Sequence, residues 1–146
     1  METNEEEINK RLLEIEYLRR DLENYINALN ELQSAQDSLN RSLLGLDGIK
    51  DANEVYVPYS QEIFLKANIT NSSSALVSIG SGVFKEYSFD ELKKKLEKDL
   101  KEMGDNIEKI AQVIQALQAK GEILEEEATK LYTQYQAGLK YICLIS

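Results

Sequence analysis

The chain has 146 residues, 42% hydrophobic and 29% charged, a balance that fits one folded domain rather than a disordered or membrane-embedded chain. Its 26 acids against 17 bases leave a net charge of −9, which argues against non-specific nucleic-acid binding, where clustered Lys and Arg must neutralise phosphates. Histidine is absent and cysteine occurs once, at Cys143, so the commonest general base and metal ligand is missing and neither a disulfide scaffold nor a zinc ribbon is expected.

The opening METNEEEINK is acidic and polar, unlike a secretory signal, and no segment approaches the roughly 18 apolar residues of a membrane helix, so a cytoplasmic location is expected. Asn68-Ile69-Thr70 and Asn71-Ser72-Ser73 read as turn residues rather than glycosylation sites, because Asn and Ser hydrogen-bond their own backbone.

The first segment has neither glycine nor proline before Gly45, and it repeats every seven residues. One series runs Ile8, Ile15, Leu22, Leu29, Gln36, Leu43 and the other Arg11, Leu18, Tyr25, Leu32, Leu39, Leu46. Only Gln36 and Arg11 interrupt this apolar seam, which predicts a coiled-coil helix over residues 4–44. Residues 45–87 then hold Pro58, the single proline, and four of the seven glycines. Here Val55-Tyr56-Val57-Pro58 and the alternating Ile63, Leu65, Ala67, Ile69 read as one β-hairpin. The runs Ala75 to Ile79 and Val83 to Tyr87, joined by Gly80-Ser81-Gly82, read as a second, so residues 54–87 are two hairpins. Ser88-Phe89-Asp90-Glu91 matches a helix-starting capping box. It opens a second heptad helix over 88–142, whose 4-3 apolar series is broken only at Gly121 and Gly138. Gly121 predicts a close approach of the partner helix or a bend.

Two long helices around a small β insert fold most simply as an antiparallel coiled-coil helical hairpin with two central β-hairpins, an α+β architecture forming a single domain over 1–146. The hairpins carry apolar residues on both faces and are too small to be stable alone. They are therefore expected to join subunits, through Val55, Val57, Ile63, Phe64, Leu65 and Ala67 in the first and Leu76, Val77, Ile79, Val83 and Phe84 in the second. With the turn centred near residue 66, Asn4 falls opposite Thr129, and the second helix overhangs from Leu131. Leu139, Tyr141, Ile142, Leu144 and Ile145 in that overhang, with Ile8 and Leu12 at the facing helix start, form a candidate interaction tip.

The order of a heptad helix, VYVPYSQEIFLKANI, ALVSIGSGVFKEY and a second heptad helix resembles the alpha-type subunits of the prefoldin family, most closely the archaeal ones. Two hairpins rather than one is the alpha-type pattern. The resemblance implies a hexamer of two alpha and four beta subunits, with the hairpins closing an oligomeric β-barrel platform from which coiled-coil arms extend. It also implies an ATP-independent chaperone that holds unfolded polypeptides at the arm tips and delivers them to a group II chaperonin. Beta subunits, clients and the chaperonin are then the partners, without nucleic acid, membrane or cofactor.

Other signals are weaker. Cys143-Leu144-Ile145-Ser146 fits a C-terminal prenylation box, which would make the chain a prenylated coiled-coil adaptor at a membrane surface. One lipid anchors only marginally, and Lys140 is the one base nearby. Gly80-Ser81-Gly82 lacks the Lys-Ser/Thr of a phosphate loop and sits between strands. Lys93-Lys94-Lys95 and Glu125-Glu126-Glu127 read as solvated helix faces, the acidic run with a possible part in docking a chaperonin. No nucleophile–base pair supports an enzyme, and no metal site is expected.

Overall fold

In the computed structural model, which describes residues 4–145, the order is α1 (Asn4–Asp51), β1 (Glu54–Pro58), β2 (Phe64–Asn68), β3 (Ser74–Gly80), β4 (Val83–Ser88) and α2 (Phe89–Ile145). The chain divides into two compact units, one built from α1 up to Glu31 with α2 from Ile107, the other from Leu32–Asn106.

In the first unit, Ile15 and Leu18 of α1 are buried with Leu124 and Ala128 of α2, and Leu117 packs beside them. These are heptad positions, as a seam requires. Gly121 lies where a Cβ would stand 3.2 Å from Leu18 Cδ2, so the missing side chain serves close helix approach. Arg19 donates to Glu125 at 2.7 Å, and Arg11 meets Glu14 at 3.0 Å and Glu127 at 3.4 Å.

The second unit holds the β strands. Leu46, Phe89 and Leu92 are buried together, with Ala75, Val77, Tyr87 and Leu96 packed against them. α1 therefore continues through Gly45 and Gly48 to Asp51, beyond the end expected at residue 44. Each helical glycine costs about 1 kcal/mol against alanine, but burying Leu46 offsets much of that. Lys50 closes the helix, near Asp90 at 3.5 Å. The capping box forms at the start of α2: Ser88 N donates to Glu91 Oε2 at 3.1 Å, and Glu91 N donates to Ser88 Oγ at 3.2 Å.

β1 pairs antiparallel with β2, and β3 with β4, as two separate two-stranded sheets. The first register sets Val55 opposite Ala67 and Val57 opposite Leu65, which puts these four side chains on one face. Ile63 and Ile69 fall outside β2; Ile63 instead belongs to the turn, its carbonyl accepting from Tyr59 N at 2.8 Å. The second register sets Ala75 opposite Tyr87 and Val77 opposite Lys85, with Leu76 and Phe84 on the other face and an irregularity at Ile79. Ser81 and Gly82 both have positive φ, 52° and 73°, as a tight two-residue hairpin turn demands.

The longer α1 also corrects the helix register. In the first unit Leu18 meets Gly121, and in the second Gln36 lies by Gly104 and Asp47 by Lys93. Asn4 thus falls opposite about Gln136 instead of Thr129, and the turn centres near Thr70 rather than Lys66.

Candidate functional site

Among the described residues no group of three or more His, Cys, Asp or Glu is placed to hold a metal ion, and many of the exposed large apolar side chains lie on the hairpins and at the end of α2. The described residues contain no buried polar or charged side chain. The resolved ionisation shifts are upward ones at surface cations. The Arg11 guanidinium is held up by its hydrogen bond to Glu14 and the charge of Glu127, and the Lys95 ammonium by its hydrogen bond to Asp99.

One surface is on the hairpins. In the first, Val57, Ile63, Phe64 and Leu65 are exposed, while Val55 and Ala67 are half-buried. Tyr56 and Phe64 are on the opposite face from Val57, beside Glu54 and Lys66, which pair at 2.7 Å. In the second, Leu76, Ile79, Val83 and Phe84 are exposed. Val77, expected with them, instead packs on the helix cluster of its own unit, because its strand parity matches that of Ala75 and Tyr87. Each sheet has two strands, so every strand keeps one unpaired edge.

The other surface is the end of α2. Leu131 and Tyr135 are half-buried along the seam, so the overhang does not begin at Leu131; every described residue after Tyr135 is exposed. Leu139 is 46% exposed, Tyr141 68%, Ile142 65%, Leu144 84% and Ile145 73%, a run of apolar side chains left open at the helix end. Cys143 is exposed among them. Ser146, the last position of the prenylation pattern, lies outside the described residues. On α1, Ile8 is half-buried in the seam, whereas Leu12 is 53% exposed.

Sequence reasoning passed over Leu13 and Tyr17 on α1 and Tyr56 and Tyr59 at the first hairpin, all at least half exposed or nearly so. Their signal was an apolar side chain off the heptad seam or off the alternating strand face, which singles out no partner by itself. Among the described residues no helix is long and apolar enough to cross a membrane.

Two long helices paired through heptad seams, joined by two exposed β-hairpins, define a coiled-coil subunit with open sheet edges and an uncovered apolar helix end. Comparison with known proteins agrees. The Prefoldin family model, described as "Prefoldin subunit", matches residues 2–134. The alpha prefoldin subunit of Pyrococcus horikoshii is 33% identical over 75% of this chain and 76% of its own length. That of Methanobrevibacter smithii is 34% identical over 60% of this chain, an alignment spanning 64% of that relative. A chain from the cryo-EM structure of filamentous PFD from Methanocaldococcus jannaschii superposes with a TM-score of 0.67 at 22% identity, over 82% of this chain and 98% of that one. The chain belongs to the prefoldin family, a family of chaperone subunits that form oligomeric complexes, and it is of the alpha type.

Proposed function

We propose that this chain is a subunit of an ATP-independent cytosolic chaperone that holds unfolded polypeptides on the apolar end of α2 and delivers them to a group II chaperonin. The observation that carries the reading is the run of exposed Leu139, Tyr141, Ile142, Leu144 and Ile145 beyond the last half-buried seam residue, Tyr135. One such side chain, buried by a client, contributes only about 1.5–3 kcal/mol before ordering costs, so a single tip binds weakly and releases readily. Several tips in one complex gain by effective concentration.

The complex is proposed to be a hexamer of two alpha and four beta subunits, with the exposed hairpin residues Val57, Leu65, Leu76 and Phe84 covered by neighbouring strands. Family membership and the open edges of both sheets support this reading. Deleting residues 139–146 is expected to weaken suppression of client aggregation severalfold while leaving the size of the complex by native mass spectrometry unchanged. Undiminished suppression would remove the tip from the mechanism.

A further inference from the structure

Two glycines interrupt the 4-3 apolar series of α2, Gly121 and Gly138, and they differ in what faces them. At Gly121 a Cβ would stand 3.2 Å from Leu18 Cδ2, so the leucine of α1 takes the room that the missing side chain leaves. At Gly138 nothing among the described residues comes within 4 Å of the corresponding point. This second glycine falls between Tyr135, the last half-buried seam residue, and the exposed Ile142 and Ile145, which carry the 4-3 spacing onward. No described neighbour calls for its lack of a side chain, and glycine is the poorest helix former after proline.

Resting on the proposed client-holding role, we infer that this open stretch of seam is a docking track for amphipathic helical segments of unfolded chains, with a large apolar client side chain seated at Gly138 as Leu18 is seated at Gly121. The track continues the seam that α1 and α2 already form, so the occupant that fits it is what α1 is: a helix with apolar residues at 4-3 spacing. Successive layers of such a seam lie about 5 Å apart, at 3.5 residues per turn and 1.5 Å per residue. An extended client sets same-face side chains about 6.6 Å apart, so it falls roughly 4–5 Å out of step after three layers. That slip is as large as the reach of an apolar contact. Leu139 and Tyr141 fall to either side of the track at 100° per residue, where they add contact area along a seated helix.

The test uses the full chain in the complex it forms and two labelled peptides of one composition, the first with leucines at 4-3 spacing and the second with the same residues alternating. A length of about 14 residues leaves both barely helical alone, so pattern rather than preformed structure separates them. Fluorescence anisotropy should show the 4-3 peptide binding severalfold more tightly. Gly138→Leu should lower its affinity to that of the alternating peptide by filling the seat, even though the substitution makes the helix end more apolar and a better helix former. Gly138→Ala, which adds a single methyl group, should keep most of the preference. Equal binding of the two peptides, a preference that Gly138→Leu leaves intact, or a loss in Gly138→Ala as large as in Gly138→Leu overturns the inference. Deleting residues 139–146 separates the two levels. If deletion weakens both peptides yet the intact chain binds them equally, client holding stands and the helix track falls; if deletion changes neither, both fall.

Discussion

The two β-hairpins have similar length and composition, yet they are held differently. The second is anchored: Ala75, Val77 and Tyr87 pack on Leu46, Phe89 and Leu92, and Phe89 N donates to the Ser73 carbonyl at 3.0 Å where strand and helix meet. The first contributes no side chain to either buried cluster, and its Val57, Ile63, Phe64 and Leu65 stay exposed. A hairpin of five-residue strands with no core beneath it is marginal in water. The difference teaches that one hairpin is part of the subunit's own fold, whereas the other draws little stability from the buried clusters of its own chain.

The largest effect that bears on this contrast is expected from Phe89→Ala, which empties the anchor. Chemical denaturation should report a loss of about 3–5 kcal/mol, and amide exchange in β3 and β4 should rise toward that of β1 and β2. If β3 and β4 kept their protection, the anchoring account would be wrong. Next, Val57→Asp with Leu65→Asp should cost the separate subunit about 1 kcal/mol at most, since both positions are exposed but the new carboxylates face each other across the strand pair. The same pair should weaken assembly by about two to four orders of magnitude, the loss of two side chains at roughly 1.5–3 kcal/mol each. A normal complex in size-exclusion chromatography would count against the first hairpin as an interface. A smaller gain should come from Ser81→Asn, since asparagine tolerates the positive φ of 52° at that turn better than serine. About 0.5 kcal/mol of added stability, read by thermal melting, would sharpen the second hairpin's lead.

The smallest effect concerns pH. Lys95 donates to Asp99 at 2.6 Å, and that bond raises the ammonium above its ordinary value of 10.5. A raised pKa stabilises the folded chain fully below the unfolded value, and the contribution disappears as pH climbs through the folded one. The melting temperatures of the native chain and Lys95→Gln should therefore differ by a constant small amount between about pH 7 and about pH 10 and converge above it. Convergence at acidic pH alone, or none at all, would show that this pair does not couple to folding.

Much of this was legible in the residues. Ile15, Leu18 and Leu124 sit at heptad positions and are buried as heptads require. Ser88 and Glu91 make the reciprocal cap that their spacing predicts. Leu65 and Ala67 share the face that alternation assigns them, and the register sets Val57 and Val55 opposite them. The end of α1 was not legible, because Gly45 and Gly48 look like helix breakers unless Leu46 is known to be buried against Phe89 and Leu92. That one displacement moved the facing register and shortened the overhang. Val77 was equally hidden: alternation says which residues share its face, not whether a helix or a neighbouring subunit covers it.

By itself the sequence determined the elements, their order, the seam of each helix and the presence of two hairpins, since all of these follow from short-range periodicity, turn chemistry and capping. Only the tertiary structure decided where α1 stops, which residues of α2 remain uncovered and which hairpin is anchored. Each of those outcomes depends on what packs against a residue from far along the chain, and burial of that kind outweighs local preferences of about 1 kcal/mol.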